Sequence, residues 1–407
     1  MIDAVEVSAA ELQSLEHAVA GAEADYLADL ERLCRIDCGS YSPRGVNKVA
    51  TWVAEEMGRL GAEVDRRPDP EGRYGDTVVG TWHGTPEAGP RVLLIGHMDT
   101  VFEDGTAADR PFRIESGIAY GPGVTDMKGG LLTGLYAIRA LRDVLGEDAP
   151  LPFERITYIA NPDEEIGSPS SSPHIAEAAR ESDLCLCLEC ARANGDFVSA
   201  RKGIADIRLT IHGRAAHAGV EPEKGRSAVL VGAQLTTAIH ALNGQWPDVT
   251  TNVGVFKAGT RPNIVTDLAE LQVDVRAKTA ANLDAAIEAI RALAAKPAVP
   301  DVTVDVETMH SWRPMEKLQR SGRLVELTVE LARGLGFATA DTGTGGAGDA
   351  NTTSGMGIPT IDGLGPVGGR DHSPDEYLEV ASIVPRTALV AALLLAVSRD
   401  PICRGWR

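Results

Sequence analysis

The stretch VLLIGHMDTVF at residues 92–102 constrains the fold most, because an apolar run in it ends directly in a histidine and an aspartate. Its β-branched, apolar start is typical of a buried strand. Ligands of open α/β sheets bind at the carboxyl ends of the strands, so His97 and Asp99 are placed for chemistry. Side chains two residues apart share a face of an extended segment, so Asp99 can fix the ring of His97. A hydrogen-bonded loop is the alternative interpretation of this pair alone.

Strands of this kind alternate with helical segments over the first half of the chain. Helical periodicity ends at Gly61 and again at about Leu145, and strand-like runs follow each helix. This repetition predicts an α/β fold with a mostly parallel sheet flanked by helices. Residues 1–37 carry acidic residues from the start and no apolar core segment, which predicts one amphipathic helix and not a signal peptide.

From Gly203 the pattern changes to alternating strands and amphipathic helices in the order βαββαβ. This order predicts an α+β sandwich with one open sheet face, as a separate inserted domain. The α/β pattern resumes after Trp312 and ends in an apolar helix. We therefore expect a main domain in two parts, residues 1–202 and 316–407, interrupted by a domain at 203–315.

The charge balance excludes two classes of partner. The chain has 39 basic and 58 acidic residues, a net charge of -19, and no basic run. Nucleic acid and anionic membranes are therefore not expected partners. The net charge does not decide the charge of a substrate, because a local site can oppose it. No run approaches the ~18 apolar residues that a membrane span needs, so no membrane association is expected.

The cysteines favour a reducing compartment. Three of them crowd one strand-like run, and no second pair at zinc-finger spacing exists, which disfavours a disulfide or a sulfur-ligated zinc. We interpret all six as reduced core thiols and expect a cytoplasmic protein. They are Cys34, Cys38, Cys185, Cys187, Cys190 and Cys403.

Histidines and carboxylates follow the predicted strands repeatedly. Buried carboxylates at one sheet edge would repel one another, and a bound cation is the physical way to hold them. Imidazole with carboxylate suits zinc, cobalt or manganese. Solvated loop charges are the alternative, which the recurrence at successive strand ends disfavours. The residues are His97, Asp99, Asp126, Glu164, Glu165, Glu189 and His372.

The number of donors suggests two metal ions. Asp126 would bridge them, and each ion would take one histidine and one further acid. This leaves Glu164 free of metal, next to a ligand, and suited to be a general base.

Five motifs occur in order along almost the whole chain: GHMDTVF, GPGVTDMKGG, NPDEEIGS, GRAAHAG and GRDHSPDEYLEV. In these motifs the chain resembles the di-zinc exopeptidases of metallopeptidase family twenty, which include glutamate carboxypeptidase, acetylornithine deacetylase, succinyl-diaminopimelate desuccinylase and aminoacylase. The resemblance implies a catalytic domain interrupted by a ferredoxin-like βαββαβ dimerisation domain, a homodimer, and a small-molecule amide or peptide substrate.

The resemblance also implies individual roles. Asp99 would orient His97, and Glu164 would be the catalytic base. His217 would reach the active site of the partner subunit and steady the developing oxyanion. Asn263 and Arg276 would bind substrate, Arg276 through a carboxylate. One zinc would be held by His97, Asp126 and Glu189, and the other by Asp126, Glu165 and His372.

Two of these roles have ordinary structural alternatives. His217 could be a surface loop histidine, and Arg276 an ordinary strand arginine.

Two stretches, TGGAGDANTTSGMGIPTIDGLGPVGG and GRDHSPDE, resemble the glutamate carboxypeptidase branch more than the acetylornithine deacetylase branch. This resemblance implies release of a C-terminal amino acid from an N-acyl or peptidyl conjugate, with glutamate as the first candidate. One departure is that Arg201 and Lys202 stand later than the lysine that grips glutamate in that branch. A deacetylase or dipeptidase activity therefore stays open. A serine hydrolase is excluded because no Gly-x-Ser-x-Gly motif is present. A non-catalytic binding protein would be expected to have lost ligands or Glu164.

Overall fold

The computed structural model describes residues 7–85, 89–146 and 149–406. The chain divides into two compact units. The larger unit comprises residues 1–199, 317–343 and 348–407, and the inserted unit comprises residues 200–316 and 344–347.

The first part of the chain supplies most of the larger unit. Two helices stand where one amphipathic helix was expected, because the backbone leaves helical geometry at Ala22 (φ -103°, ψ 2°) directly after a glycine. The part of that prediction on residues 1–6 lies outside the described residues. The elements are α1 Ala9–Gly21, α2 Glu23–Cys34, α3 Pro43–Arg59, β1 Glu63–Arg67, β2 Thr77–His83, β3 Arg91–His97, α4 Thr106–Asp109, β4 Arg113–Glu115, β5 Ile118–Tyr120, α5 Gly129–Leu145, β6 Arg155–Asn161, α6 Ser172–Arg180, β7 Leu184–Cys187 and β8 Phe197–Arg201.

The inserted unit is built on a four-stranded antiparallel sheet. Its elements are β9 Gly203–His212, β10 Ala216–His217, α7 Ala228–His240, β11 Thr250–Ala258, β12 Ile264–Val265, β13 Leu268–Ala277, α8 Ala280–Ala294 and β14 Thr303–Trp312. The strand order is β11-β13-β9-β14. Alternate residues of β9 and β13 are buried, as expected for strands with one covered face. The helices α7 and α8 contribute their apolar residues to the same core.

The last part of the chain returns to the larger unit. Its elements are α9 Gln319–Gly334, β15 Asp341–Thr344, α10 Ala350–Gly355, β16 Thr360–Ile361, β17 Gly368–Gly369, β18 Tyr377–Glu379, α11 Ile383–Arg399 and α12 Pro401–Arg404. β15 pairs with β8, and β17 and β18 form a small sheet with β5 and β4.

The main sheet of the larger unit is mostly parallel, as predicted. Its order is β1-β2-β6-β3-β7-β16, and the four strands from β6 to β16 run parallel. β2 runs antiparallel to both of its neighbours, β1 and β6. β1 and β2 follow each other without a helix between them, so no parallel crossover joins these two strands. His97 at the end of β3 is level with Asn161 at the end of β6. The parallel strands therefore end together at one edge of the sheet.

The core of the larger unit contains an unusually apolar helix. The helical segment from Val380 to Arg399, which includes α11, has 20 residues with mean hydropathy 2.1. By length and composition it could span a membrane, contrary to the expectation that no run is long enough. However, 72% of its apolar window is buried inside the protein, where α11 packs against α5 and α1. Its composition therefore fits a core helix. The six cysteines are all free and buried.

Candidate active site

Asp99 joins the end of β3 to the turn that follows β6. The Nδ1 atom of His97 lies 3.0 Å from the Asp99 carbonyl oxygen and 3.3 Å from its Oδ1. The Asp99 carboxylate accepts backbone N–H bonds from Glu164 (3.1 Å) and Glu165 (3.2 Å). It also accepts a hydroxyl bond from Ser40 at 2.6 Å. One buried carboxylate thus fixes both the imidazole and the two glutamates.

Asp126 lies between His97 and His372, two histidines that are far apart in the sequence. Its Oδ1 is 3.2 Å from His97 Nε2, and its Oδ2 is 3.1 Å from His372 Nε2. His372 Nε2 is also 3.0 Å from Glu165 Oε2, and His97 Nε2 is 3.5 Å from Glu189 Oε1. The two oxygens of Asp126 therefore face two separate groups of donors.

The backbone around Asp126 is held by a buried glutamate that sequence reasoning did not identify. Glu376 accepts N–H bonds from Gly123 (2.8 Å), Thr125 (2.9 Å) and Asp126 (3.0 Å). The peptide bond between Asp126 and Met127 is cis. The available signal was that Glu376 is an acid within the same motif as His372. Burial raises the pKa of Glu376 to about 7, against the opposing effect of the three N–H bonds.

Two further buried acids, Asp163 and Asp349, support the turn that carries Glu164 and Glu165, and neither was among the predicted site residues. Asp163 accepts bonds from the Ser171 hydroxyl (2.5 Å) and the Ser170 N–H (2.6 Å). Asp349 binds across the fold, and it accepts bonds from Asn161 Nδ2 (2.7 Å) and the Ser168 hydroxyl (2.5 Å). The available signal for Asp163 was its place shortly after β6 and directly before Glu164, whereas Asp349 stands in a glycine-rich loop 188 residues from Asn161 and follows no predicted strand.

Several ionisable side chains lie close together in the site and shift one another's pKa. Burial would lower the pKa of His97, but hydrogen bonds to Asp126 and Asp99 raise it well above its usual value. Hydrogen bonds to Asp126 and Glu165 raise the pKa of His372 to about 10. Burial opposes ionisation of Asp126, yet the two histidines hold its pKa below the usual range.

The two glutamates of the turn behave in the opposite way. Burial raises the pKa of Glu165 to about 7, although His372 opposes this shift. Burial also raises the pKa of Glu164 well above its usual value, with the charge of Glu189 adding to the effect. Several carboxylates in one enclosed place disfavour ionisation, and positive charge brought to them would reverse this.

The imidazole nitrogens and carboxylate oxygens of the site are suitable ligands for metal ions. Ligand atoms of His97, Asp126 and Glu165 lie within 4.8 Å of one another, and so do those of His97, Glu164 and Glu189. Imidazole and carboxylate without thiolate suits zinc, manganese or cobalt in a catalytic site. The second group contains Glu164, which the sequence interpretation kept free of metal.

The remaining predicted residues lie in the inserted unit. His217 in β10 is exposed, and its Nδ1 accepts the N–H of Gly219 at 3.1 Å. Asn263 accepts the N–H of Ala218 through its carbonyl at 3.0 Å. Arg276 Nε donates to both carboxylate oxygens of Asp274 at 3.1 Å. The substrate roles of these three residues stay predictions.

Known proteins resemble the chain over most of its length. Residues 93–396 match Peptidase family M20/M25/M40. Carboxypeptidase G2 of Pseudomonas sp. (strain RS-16) is 31% identical over 369 residues, which cover 90% of this chain and 88% of that protein. Acetylornithine deacetylase of Proteus mirabilis (strain HI4320) is 26% identical over 370 residues, covering 86% and 88%. The crystal structure of aminopeptidase PepT from Bacillus cereus ATCC 10987 has a TM-score of 0.74 at 23% identity, covering 93% and 99%.

Proposed function

Because the chain belongs to peptidase family M20/M25/M40 and is a metal-dependent amidohydrolase, we propose that it releases a C-terminal amino acid from an N-acyl or peptidyl conjugate. Glutamate is the first candidate for the released amino acid. The observation that carries the proposal is Asp126 between His97 and His372, with further carboxylates around both histidines. The 31% identity to carboxypeptidase G2 supports the choice of an exopeptidase.

The proposed cofactors are two Zn²⁺ ions, with Co²⁺ or Mn²⁺ as substitutes. His97, Asp126 and Glu189 would hold one ion, and Asp126, Glu165 and His372 the other. Bound there, such ions supply Lewis acidity for the scissile carbonyl and make a water more acidic. The two oxygens of Asp126 face different histidines, which supports Asp126 as a ligand shared by both ions.

Glu164 is the proposed base. Its carboxylate takes the proton of the attacking water and delivers it to the leaving amine, a role typically worth ~10²–10⁴ in rate. The Glu164 backbone is fixed by Asp99, which also sets the ring of His97. Asp99 therefore positions the base and a ligand together.

We further propose a homodimer formed through the inserted unit. Exposed apolar side chains on α7 and the edge strand β11 support it: Val229, Leu230 and Phe256. In this dimer His217 serves the partner subunit's site by donating to the oxyanion. Arg276 binds the carboxylate of the released amino acid, beside Asn263.

Kinetics on a substrate panel test the function. The zinc-loaded enzyme would be assayed for kcat/KM on benzyloxycarbonyl-glutamate, an aryl-glutamate of the folate type, an N-acyl-leucine, N-acetylornithine and a dipeptide. Preference for the glutamate conjugates is expected. Preference for one of the other substrates would contradict the proposal that the enzyme releases glutamate.

Deacetylation is the second candidate, favoured by the likeness to acetylornithine deacetylase and by the displaced Arg201 and Lys202. It predicts N-acetylornithine as the best substrate of the panel.

We propose a cytoplasmic location because all six cysteines are free, as is usual in a reducing compartment. Because the cysteines are buried, the cells would be lysed directly into denaturant with a thiol-alkylating reagent, and comparison with a chemically reduced sample tests whether the cysteines were reduced in the cell. Recovery of oxidised cysteines from a secreted fraction would contradict it.

A further inference from the structure

A pocket of about 420 Å³ lies in the larger unit next to Glu165. Three segments form its wall: the loop between α2 and α3, the loop after β3 and the turn after β6. Its size is within the range of small-molecule sites, roughly 300–1,000 Å³. The described lining residues are Gly39, Ser40, Tyr41, Ser42, Thr100, Val101, Phe102, Glu103, Asp104, Glu165 and Ile166.

The pocket wall is tied to the catalytic residues. Gly39 bridges Thr100, and a Cβ on Gly39 would lie 2.4 Å from the Phe102 carbonyl oxygen, so only glycine fits this approach. The next residue, Ser40, donates to Asp99. The loop that shapes the pocket therefore also holds the carboxylate that positions Glu164. A group in this pocket lies beside the site of hydrolysis.

The accessible surface of the pocket is largely apolar. Tyr41 is 76% exposed and Val101 is 40% exposed, which is high for side chains of this kind. Phe102 is fixed by the Arg110 guanidinium, whose carbon lies 4.2 Å from the ring centroid. Arg110 in turn donates to the carbonyl of Ser373, next to His372. An aromatic ring of the substrate could stack on these side chains.

The charge of the pocket is negative. Glu103 and Asp104 line it beside Glu165, a proposed metal ligand whose charge a bound ion would offset, and none of its described lining residues is Lys or Arg. Arg110 is not among them, and its guanidinium is engaged with Phe102 and Ser373. A substrate carboxylate here would meet like charge. In an N-acyl amino acid the released part always carries a carboxylate, whereas the acyl part need not carry one.

We propose that this pocket binds the acyl side of the substrate and selects ring-sized, apolar acyl groups without negative charge. The inference rests on the proposed hydrolysis of N-acyl amino acids and adds the acyl class that the enzyme prefers. Tyr41, Val101 and Phe102 provide the contact surface, and Glu103 and Asp104 reject anionic groups.

The test compares acetyl, benzoyl and 4-carboxybenzoyl conjugates of one amino acid. In the wild-type enzyme we expect kcat/KM to be about tenfold higher for benzoyl than for acetyl, and lowest for 4-carboxybenzoyl. Tyr41→Ala is expected to lower the benzoyl-to-acetyl ratio about fivefold, mainly through KM. The double variant Glu103→Gln, Asp104→Asn is expected to raise the 4-carboxybenzoyl-to-benzoyl ratio about fivefold.

Ile402→Ala, at another exposed apolar residue, and Glu55→Gln, at an exposed acid, are the controls and should leave both ratios unchanged. Equal loss on acetyl and benzoyl conjugates in Tyr41→Ala would overturn the apolar part of the proposal. An unchanged 4-carboxybenzoyl-to-benzoyl ratio in the double variant would overturn the charge part.

If the wild-type enzyme hydrolyses no conjugate, the proposed function fails separately. Calorimetric binding of benzoylglycine to wild type and to Tyr41→Ala then tests the pocket. Equal affinities would overturn it, and weaker binding to the variant would support it.

Discussion

At the residue scale, the role of Glu164 is the one that an experiment can test most directly. It shares a group of donors with His97 and Glu189, so it could act as a base or bind metal. As a base, Glu164→Gln should lower kcat by about 10²–10⁴ and keep the metal content. Metal analysis beside steady-state kinetics distinguishes the two roles. Loss of about one ion per subunit would identify Glu164 as a ligand, and full turnover would remove it from the mechanism.

Glu376 supports a prediction about metal affinity. It accepts three backbone N–H bonds around Asp126, and an amide at this position has only one oxygen to accept them. Glu376→Gln should therefore weaken metal binding about tenfold by loosening Asp126, while kcat at saturating metal stays within a few-fold of wild type. Titration with a chelator-buffered metal measures this. Glu379→Gln is the matched control, and equal affinities in both variants would contradict the role.

The sequence could predict His97, Asp126 and the paired glutamates because each follows a strand or lies in a glycine-rich turn at a familiar spacing. It could not predict Glu376 or Asp349. Their partners are backbone N–H groups and side chains distant in sequence, and such contacts leave no periodic signal.

At the element scale, an ion pair that is lost at low pH joins α1 to α11. Glu11 closes a capping box with Ser8 and accepts a bond from Arg399 at 2.8 Å. The bond from Arg399 lowers the pKa of Glu11 to about 2, against a usual 4.5. Because the folded state holds the lower pKa, this stabilisation is full above about pH 5 and is lost as the pH falls toward 2.

Glu11→Gln should therefore reduce the free energy of unfolding by about 1 kcal/mol at pH 7, and the difference from wild type should shrink below about pH 4. Urea unfolding at several pH values measures it. Glu16→Gln in the same helix is the control. A difference that persists unchanged at low pH would show that the ionised carboxylate is not the cause.

The elements also show where local patterns mislead. The acidic N-terminal segment has one continuous helical pattern, but α1 and α2 are separate helices. The strand β2 is apolar and buried like β3, yet it runs antiparallel to both of its neighbours. Strand direction depends on the connection and not on the residues of the strand itself.

At the scale of the whole molecule, the proposed homodimer can be tested by complementation. In a mixed dimer, the His217→Ala subunit keeps its own base and receives His217 from a Glu164→Gln partner. Mixing the two inactive variants should therefore restore about a quarter of wild-type activity, because about half of the dimers are mixed and each has one complete site. Sedimentation confirms exchange. Mixed dimers without activity would contradict action across the interface.

The boundaries of the inserted unit include a segment that the sequence pattern does not indicate. The expected inserted domain covers residues 203–315, and the compact unit covers 200–316 with residues 344–347 added. The added segment lies in a glycine-rich loop without periodicity, so its membership depends on tertiary contacts alone.

The long separation between Asp126 and His372 has a consequence for biosynthesis. His97, Asp126, Glu165 and Glu189 are all translated before the inserted unit, whereas His372 and Glu376 follow it near the end of the chain. The Asp126 loop and its two later partners can therefore come together only after the inserted unit and the segment with His372 and Glu376 have been synthesised. If His372 is a ligand, as proposed, a chain truncated before residue 372 should bind less metal than the whole chain.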